Sequence, residues 1–295
     1  MKTILITRKL IKSSEEIAKK IFNVKLNKED KLLTKEELII QSKGCDGILS
    51  SITDKIDKDL ILKLPETIKI ISNFAVGFGN IDIITAKKKN IVVTNTPNVL
   101  TDATAEIAIL ILLGAARRAK EGAQWVNKKN WKWSADFLMG KQLTGGRLGI
   151  LGMGRIGRAV ADRARSFGMK IHYFNRSRLN KSLEKDATYH KSLESLLKVS
   201  DFFSINCPAT KETKHIINRN TIKNFPNGAV ISNSARGDMI DDEAMVEALK
   251  SGKIFSLGLD VYNGEPDIHP EYIKLSNVFV LPHLGSSTKK TRTAM

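Results

Sequence analysis

Three polar side chains in the C-terminal part of the sequence, Arg236, Glu265 and His283, are of the types that hold an anion and move a proton. Arg236 stands in "AVISNSARGDMIDDE", just past Ala229 to Ser232, a run that reads as a buried strand. A charge there is expensive unless something pairs with it, so the arginine implies an anionic partner. Taken alone, Arg-Gly-Asp also fits an adhesion tripeptide or an ordinary turn. His283, between Pro282 and Leu284 at the end of another strand-like run, carries the side chain best poised for proton transfer near neutral pH. Glu265, in "NGEP", is a carboxylate that would orient an imidazole and hold it protonated. His172, His190, His215 and His269 lie in strand or loop contexts without matching motifs and read as structural.

Residues so far apart meet only if the fold gathers them. "DFFSINCPAT", "AVISNSARGDMIDDEAMVEALKSG", "FSLGLDVYNGEP" and "VFVLPHLGSS" each read as a strand followed by a polar loop. In a doubly wound sheet such loops converge on one crevice at the carboxyl ends of the strands. The anchor of that sheet is "LGILGMGRIGRAVADRARSFGMKIHYFNRSR". A strand runs into Gly152-Met-Gly154-Arg-Ile-Gly157, then a helix, then a second strand. Gly152 suits the tight turn, Gly154 lets backbone approach a pyrophosphate, and Gly157 allows close helix packing, with the helix N-terminus facing the phosphates. Strand, glycines, helix and strand together predict dinucleotide binding. The second strand ends in Asn175-Arg176-Ser177-Arg178, where an acid would take the ribose hydroxyls of NAD. Two arginines without an acid suit a 2′-phosphate, so NADP(H) is the preferred expectation. NAD(H) stays possible if these are surface arginines.

The N-terminal third alternates in the same way. "KTILIT", "GILS", "IKIISNF" and "IVVTN" read as strands, and "SSEEIAKKIF", "DKDLILKL" and "ITAKKKN" as helices, with a glycine-rich loop "AVGFGNID" between. Alternation of this kind predicts a parallel sheet covered by helices. "TPNVLTDATAEIAILILLGAARRAKEG" reads as one long helix, capped by Thr101 or Asp102, bridging into the second domain.

Composition bounds the function classes. The 295 residues, 42% hydrophobic and 27% charged, suffice for two packed domains. "MKTILITRKL" lacks the apolar core of a secretory signal, and "IAILILLGAA" is about half the roughly 20 residues of a membrane span. A cytoplasmic protein without a membrane partner is expected. Cys45 and Cys207 form no CxxC, so neither a disulfide framework nor a metal site is suggested. The net charge of +17 is spread over lysines interleaved with acids and apolar residues, which reads as a solvated surface that favours anionic ligands rather than nucleic acid.

"LGMGRIG", "NSARGDMID", "GLDVYNGEP" and "LPHLGSS", in this order and spacing, resemble the D-isomer-specific 2-hydroxyacid dehydrogenase family, most of all its glyoxylate/hydroxypyruvate reductases. The resemblance is specific from about Ile71 onward. It implies an α/β fold of two doubly wound parallel-sheet domains. A flavodoxin-like substrate domain would take residues 1–98 and a returning tail, 286–295. A Rossmann dinucleotide-binding domain would take 99–285. The chain stops at Met295, in what looks like the start of a longer returning helix, so a truncated tail is expected. The activity implied is reduction of small 2-keto acids by NAD(P)H in a homodimer. Arg236 would hold the carboxylate and carbonyl of the acid with its planar fork, and His283 would donate the proton. Val76 and Gly77 would offer backbone N–H groups to the substrate carboxylate. Asp260 would meet the nicotinamide amide, Cys207 and Pro208 with Thr213 would line the adenosine side, and Arg155, Ile156 and Ala235 would also contact the cofactor. Trp131 or Trp133 matches a segment that reaches a neighbouring subunit, although a Trp pair beside lysines fits plain interface packing equally well. Another hydroxyacid dehydrogenase of the family, or a dinucleotide-sensing corepressor, are the alternative readings.

Overall fold

The computed structural model describes residues 1–129 and 131–295, and the chain divides into two compact units. The first holds Met1–Leu100 and Thr288–Met295, the second Thr101–Ser287. Both crossings lie two residues beyond the edges expected from the sequence, because the breaks fall at helix starts. Thr101 opens a helix, and Thr288 caps another by accepting from the Thr291 N–H.

The first unit runs β1 (Thr3–Ile6), α1 (Lys12–Ile21), β2 (Asn23–Leu26), α2 (Lys35–Ser42), β3 (Gly47–Ser51), α3 (Lys58–Lys63), β4 (Ile70–Phe74), α4 (Ile83–Lys88) and β5 (Val92–Thr94). Its strands form one parallel sheet in the order β2-β1-β3-β4-β5, the flavodoxin-like order. Strand β2 and helix α2 are additions to the sequence reading. The strand alternates exposed and half-buried residues at the sheet edge, and "NVKL" carries only two apolar side chains to betray it. The core gathers Leu5, Ile48 and Ile71 from the strands with Leu38, Leu60 and Ile61 from the helices.

The second unit opens with α5 (Thr101–Ala116) and α6 (Ala119–Lys128). The single long helix expected here is broken: Arg118 takes φ +54°, a left-handed conformation, and folds its guanidinium onto both oxygens of Glu121 at 2.6 and 2.8 Å. Thr101 and Asp102 lie inside the first turn of α5 rather than before it. Then follow β6 (Arg147–Leu151), α7 (Arg155–Ser166), β7 (Lys170–Phe174), α8 (Lys181–Glu184), β8 (Thr188–Tyr189), α9 (Leu193–Leu197), β9 (Phe202–Ile205) and α10 (Arg219–Ile222). The unit closes with β10 (Ala229–Asn233), α11 (Asp242–Lys250), β11 (Ile254–Leu259), α12 (Pro270–Lys274) and β12 (Val278–Val280), while α13 (Lys289–Ala294) belongs to the first unit.

The seven strands are parallel in the order β12-β11-β10-β9-β6-β7-β8, so the order in which strands are added reverses between β6 and β9. Ligands bind at such switch points in open α/β sheets. Alternate residues feed two cores, as the pleat requires. Leu148, Ile150, Phe202 and Val230 face α5 and α7, whereas Leu151, Phe203, Ile205 and Ile231 face the side of α9 and α11. Among the described residues no helix is long and apolar enough to cross a membrane, and α5 is instead a core helix with most of its residues buried.

Close approach of α5 to the sheet depends on Gly258 in β11. A Cβ there would overlap the carbonyl of Ile111, which is backbone and cannot swing aside. Gly258→Ala should therefore cost about 1–3 kcal/mol, the usual range for overpacking. Urea unfolding reads this directly; a loss within about 0.5 kcal/mol, the range of ordinary surface changes, would mean that the helix is free to retreat.

Candidate active site

At the carboxyl end of β6 the chain turns through Gly152 at φ +93°. A Cβ on Gly152 would stand 2.6 Å from the Cys207 N atom just beyond β9, so only glycine lets the two strand ends of the switch point come together. Gly154 is the N-cap of α7 and has open space where a Cβ would be. Gly157 packs against the carbonyl of Gly152, which leaves no room for a side chain. Arg155 and Ile156 form the first turn of the helix, the arginine exposed and the isoleucine packed on the core. An open glycine cradle under a helix N-terminus fits the pyrophosphate of a dinucleotide.

The turn is held by Asn175, whose Oδ1 accepts from the Met153 N–H at 2.7 Å. Arg176 and Ser177 are exposed. Arg178 is exposed too, but its fork is already engaged: Nε and Nη2 donate to Glu184 at 3.0 and 2.8 Å, over the ring of Tyr189. Glu184 also accepts from the buried Tyr173 hydroxyl at 2.7 Å. Neither Glu184 nor Tyr173 stood out in the sequence, where nothing marks "KSLEKD" as holding a buried acid. Across the switch point, Thr213 braces its own loop, donating to the Pro208 carbonyl at 3.0 Å and accepting from the Thr210 N–H at 2.7 Å. Burial pushes the Cys207 thiol up to about 11, so it stays protonated at neutral pH.

The structure brings Glu265 and His283 into contact. Nδ1 of His283 lies 2.6 Å from Oε2 of Glu265, both side chains about one-third exposed. The other oxygen of Glu265 accepts from the Tyr262 N–H at 2.9 Å. Burial raises the pKa of this carboxyl, but the hydrogen bond and charge of His283 outweigh it, and the net shift is down. Glu265 is therefore ionised at neutral pH. His283 itself takes φ +55°, a strained conformation for a side-chain-bearing residue. Its neighbours are tied on both sides. Leu281 accepts from the Tyr262 hydroxyl at 2.6 Å, and Asp260 accepts from the Leu284 and Gly285 N–H groups at 2.6 and 2.8 Å. Tyr262, quoted in "GLDVYNGEP" but assigned nothing, is thus a brace of the site; its hydroxyl is a half-buried polar group whose partner the sequence does not name.

Arg236 follows β10 in an extended conformation and is half-buried. Asn233 shapes its turn, donating to the Arg236 carbonyl at 2.8 Å and accepting from the Ala235 N–H at 2.9 Å. Nη1 of Arg236 donates to the Ala235 carbonyl at 2.6 Å, and among the described residues no carboxylate forms an ion pair with it. Burial pushes the guanidinium pKa down, against the pull of Glu265 and Asp238. A half-buried cation without a counter-ion is a place for an anion. The adhesion reading of Arg-Gly-Asp fails, because Gly237 is buried against the Tyr262–Asn263 backbone.

Val76 and Gly77 lie in the first unit, in the loop after β4. Trp131 and Trp133 are exposed, Trp133 at 81%, and Asn130 beside them lies outside the described residues. Of the remaining histidines, His172 and His190 bond each other at 3.0 Å and His269 meets Glu243 at 3.1 Å, so these three have structural partners.

A dinucleotide cradle at the switch point, with a histidine–carboxylate pair and an arginine lacking an ion-pair partner among the described residues on loops after strands of the same sheet, is the arrangement of a dinucleotide-dependent oxidoreductase. Residues 109–285 match the model of the D-isomer specific 2-hydroxyacid dehydrogenase NAD binding domain. The chain is 43% identical to the glycerate dehydrogenase of Hyphomicrobium methylovorum, over 100% of this chain and 92% of the relative. It is 41% identical to the glyoxylate reductase of Thermococcus litoralis, over 99% and 89%. Among solved structures, a D-isomer specific 2-hydroxyacid dehydrogenase from a Polaromonas species superposes with a TM-score of 0.95 at 42% identity, covering 100% of this chain and 92% of that one. The NADPH-dependent glyoxylate/hydroxypyruvate reductase of Sinorhizobium meliloti, in complex with NADP and malonate, gives 0.89 at 30%, covering 99% and 90%. The chain belongs to the D-isomer specific 2-hydroxyacid dehydrogenase family.

Asp260 makes one prediction of its own. It is 1% exposed, and burial pushes its pKa up to about 6 against the backbone donors of Leu284 and Gly285. A raised carboxyl pKa means that the folded state holds a proton which the unfolded chain gives up, so stability falls as pH rises from about 4 to about 6. The contribution is on the order of 1–3 kcal/mol. Asp260→Asn cannot titrate and should flatten this slope. Melting temperature against pH for both proteins reads it; parallel curves would contradict the assignment.

Proposed function

We propose that the chain reduces small 2-keto acids, glyoxylate and hydroxypyruvate among them, to 2-hydroxy acids with NADPH as preferred reductant and NADH as second choice. The observation that carries this reading is the 2.6 Å contact between His283 Nδ1 and an ionised Glu265. With Nδ1 held there, Nε2, which has no partner among the described residues, is the atom from which a proton leaves. Arg236 supplies the anion-binding half. Its planar fork spans the carboxylate and adjacent carbonyl of a keto acid, which a lysine could not do. The bound dinucleotide supplies the hydride. The protein's own part is to hold the acid by its charge and to deliver the proton. As the carbonyl oxygen gains negative charge, the Nε2–H bond of His283 breaks and the O–H bond of the product forms. Glu265 keeps the ring oriented throughout and offsets the positive charge that the ring carries before transfer. The names of the Hyphomicrobium and Thermococcus relatives support the substrate class, since glycerate is the reduced form of hydroxypyruvate and glyoxylate its shorter analogue.

For the cofactor, the support is the absence of an acid at the end of β7 and the presence of exposed Arg176. The Sinorhizobium neighbour is an NADPH enzyme. Because Arg178 is forked onto Glu184, Arg176 takes the larger share of the 2′-phosphate. Residues 1–100 with 288–295 are read as the substrate domain, and Val76 and Gly77 as donors to the substrate carboxylate. The homodimer and the cytoplasmic location belong to the same proposal.

A panel of 2-keto acids assayed with NADPH and NADH tests it. Glyoxylate and hydroxypyruvate should turn over fastest, and Arg176→Ala should weaken NADPH roughly tenfold or more while changing NADH little, the scale of one charge-assisted contact. Equal loss for both cofactors removes the phosphate role, and no turnover of any keto acid removes the enzyme reading in favour of a dinucleotide sensor.

A further inference from the structure

The loop after β4 is laced to its surroundings in an unusually one-sided way. Three consecutive carbonyls each have a fixed donor: Ala75 O accepts from the Thr96 N–H at 2.9 Å, Val76 O from Asn95 Nδ2 at 2.8 Å, and Gly77 O from Asn73 Nδ2 at 2.9 Å. Asn73 is fully buried and anchored in turn, its Oδ1 accepting from Ser50 Oγ at 3.2 Å and Asn80 Nδ2 at 3.3 Å. Asn80 also donates to the carbonyls of Ser51 and Asp54 at 3.0 and 3.1 Å. The lattice therefore reaches back into β3 and its loop.

In a trans peptide the C=O and the following N–H point in opposite directions across a rigid plane. Pinning a carbonyl therefore aims the next N–H. Thr96 sets the direction of the Val76 N–H, Asn95 that of Gly77, and Asn73 that of Phe78. Among the described residues none accepts from these three N–H groups. Backbone N–H groups on successive residues of a bend, left without acceptors, are the donors from which anion-binding concavities are built. The pinned carbonyls also keep their own negative ends turned away from an anion.

We infer that Asn95 and Asn73 are positioning residues for the substrate carboxylate, acting through the loop amides, and that Phe78 N–H is a further donor of that site. The inference rests on the reading that Val76 and Gly77 donate to the carboxylate. Asn95 is the one to test, because it is only half-buried, whereas Asn73 lies in the centre of the lattice.

Asn95→Asp keeps the shape and replaces the donor by an oxygen that repels the Val76 carbonyl. The expected result is a KM for glyoxylate, and a Kd for oxamate in the presence of NADPH, each raised about tenfold, the scale of losing a well-aimed hydrogen bond. NADPH affinity should be unchanged and kcat should fall much less than KM rises. Asn95→Gln, which keeps an amide donor, should recover part of the loss. An unchanged oxamate Kd in Asn95→Asp overturns the inference. So does a parallel fall in melting temperature, kcat and NADPH affinity, which would mark a purely structural role. Val76→Pro, or Gly77→Pro where the first does not fold, deletes a donor and separates the two ideas. If deletion of the N–H leaves oxamate binding intact, the carboxylate reading itself falls. If it weakens binding while Asn95→Asp does not, only the positioning role is lost.

Discussion

The contact between Glu265 and His283 is the interaction that the loops after β11 and β12 hold in place. A short hydrogen bond to an ionised carboxylate is strong but directional, so it lasts only if both partners are held. Neither sits on a regular element. Glu265 is in the loop after β11 and His283 in the loop after β12, and each is fixed through backbone. The Tyr262 N–H takes one carboxylate oxygen, the Tyr262 hydroxyl takes the Leu281 carbonyl, and the Leu281 N–H returns to Leu259 at 2.8 Å. Asp260 clamps the two amides after His283. These bonds over-determine the left-handed backbone of His283, which explains how a strained residue persists there.

The strand ends can carry such loops because the sheet beneath them is tightly packed. Gly258 lets α5 lie against β11, and Gly237 lets the turn after Arg236 rest on the Tyr262–Asn263 backbone. Close packing of backbone on backbone thus joins the turn after β10 to the loop after β11. Proton transfer, the step proposed for this pair, tolerates little slack, since misplacement by about 1 Å costs on the order of a hundredfold in rate.

Much of this is legible in the sequence because certain positions admit only one residue type. Gly152, Gly154 and Gly157 are visible as glycines for the same reason that they are required: positive φ, open backbone and absence of a Cβ. Arg236 and His283 are visible because charged and titratable types follow closely on apolar strands, and Glu265 because its carboxylate stands in the loop after a third. Other features leave no such trace. The break between α5 and α6 rests on a left-handed arginine bonded to Glu121, and arginine carries no preference for that conformation. Strand β2 is an edge strand of mixed polarity, so its period is faint. The engagement of Arg178 by Glu184 depends on a buried acid that only tertiary structure reveals. Asn73 and Asn95 stand at the ends of strand-like runs and draw no notice until their side-chain donors are seen to converge on the carbonyls of one loop.

The central claim is that the charge of Glu265, and not its shape alone, sustains His283 as the proton donor. Glu265→Gln keeps the shape and removes the charge, and with it the pairing that favours a positive ring. The direct measurement is kcat/KM for glyoxylate reduction against pH, for wild type and Glu265→Gln, with deuterated NADPH confirming that hydride transfer limits the rate. The account predicts that kcat/KM for reduction falls about tenfold or more in the variant across the pH range, the scale of losing one charge-assisted hydrogen bond. An unchanged kcat/KM, with a clear isotope effect, would contradict the account and leave Glu265 as a structural part of its turn.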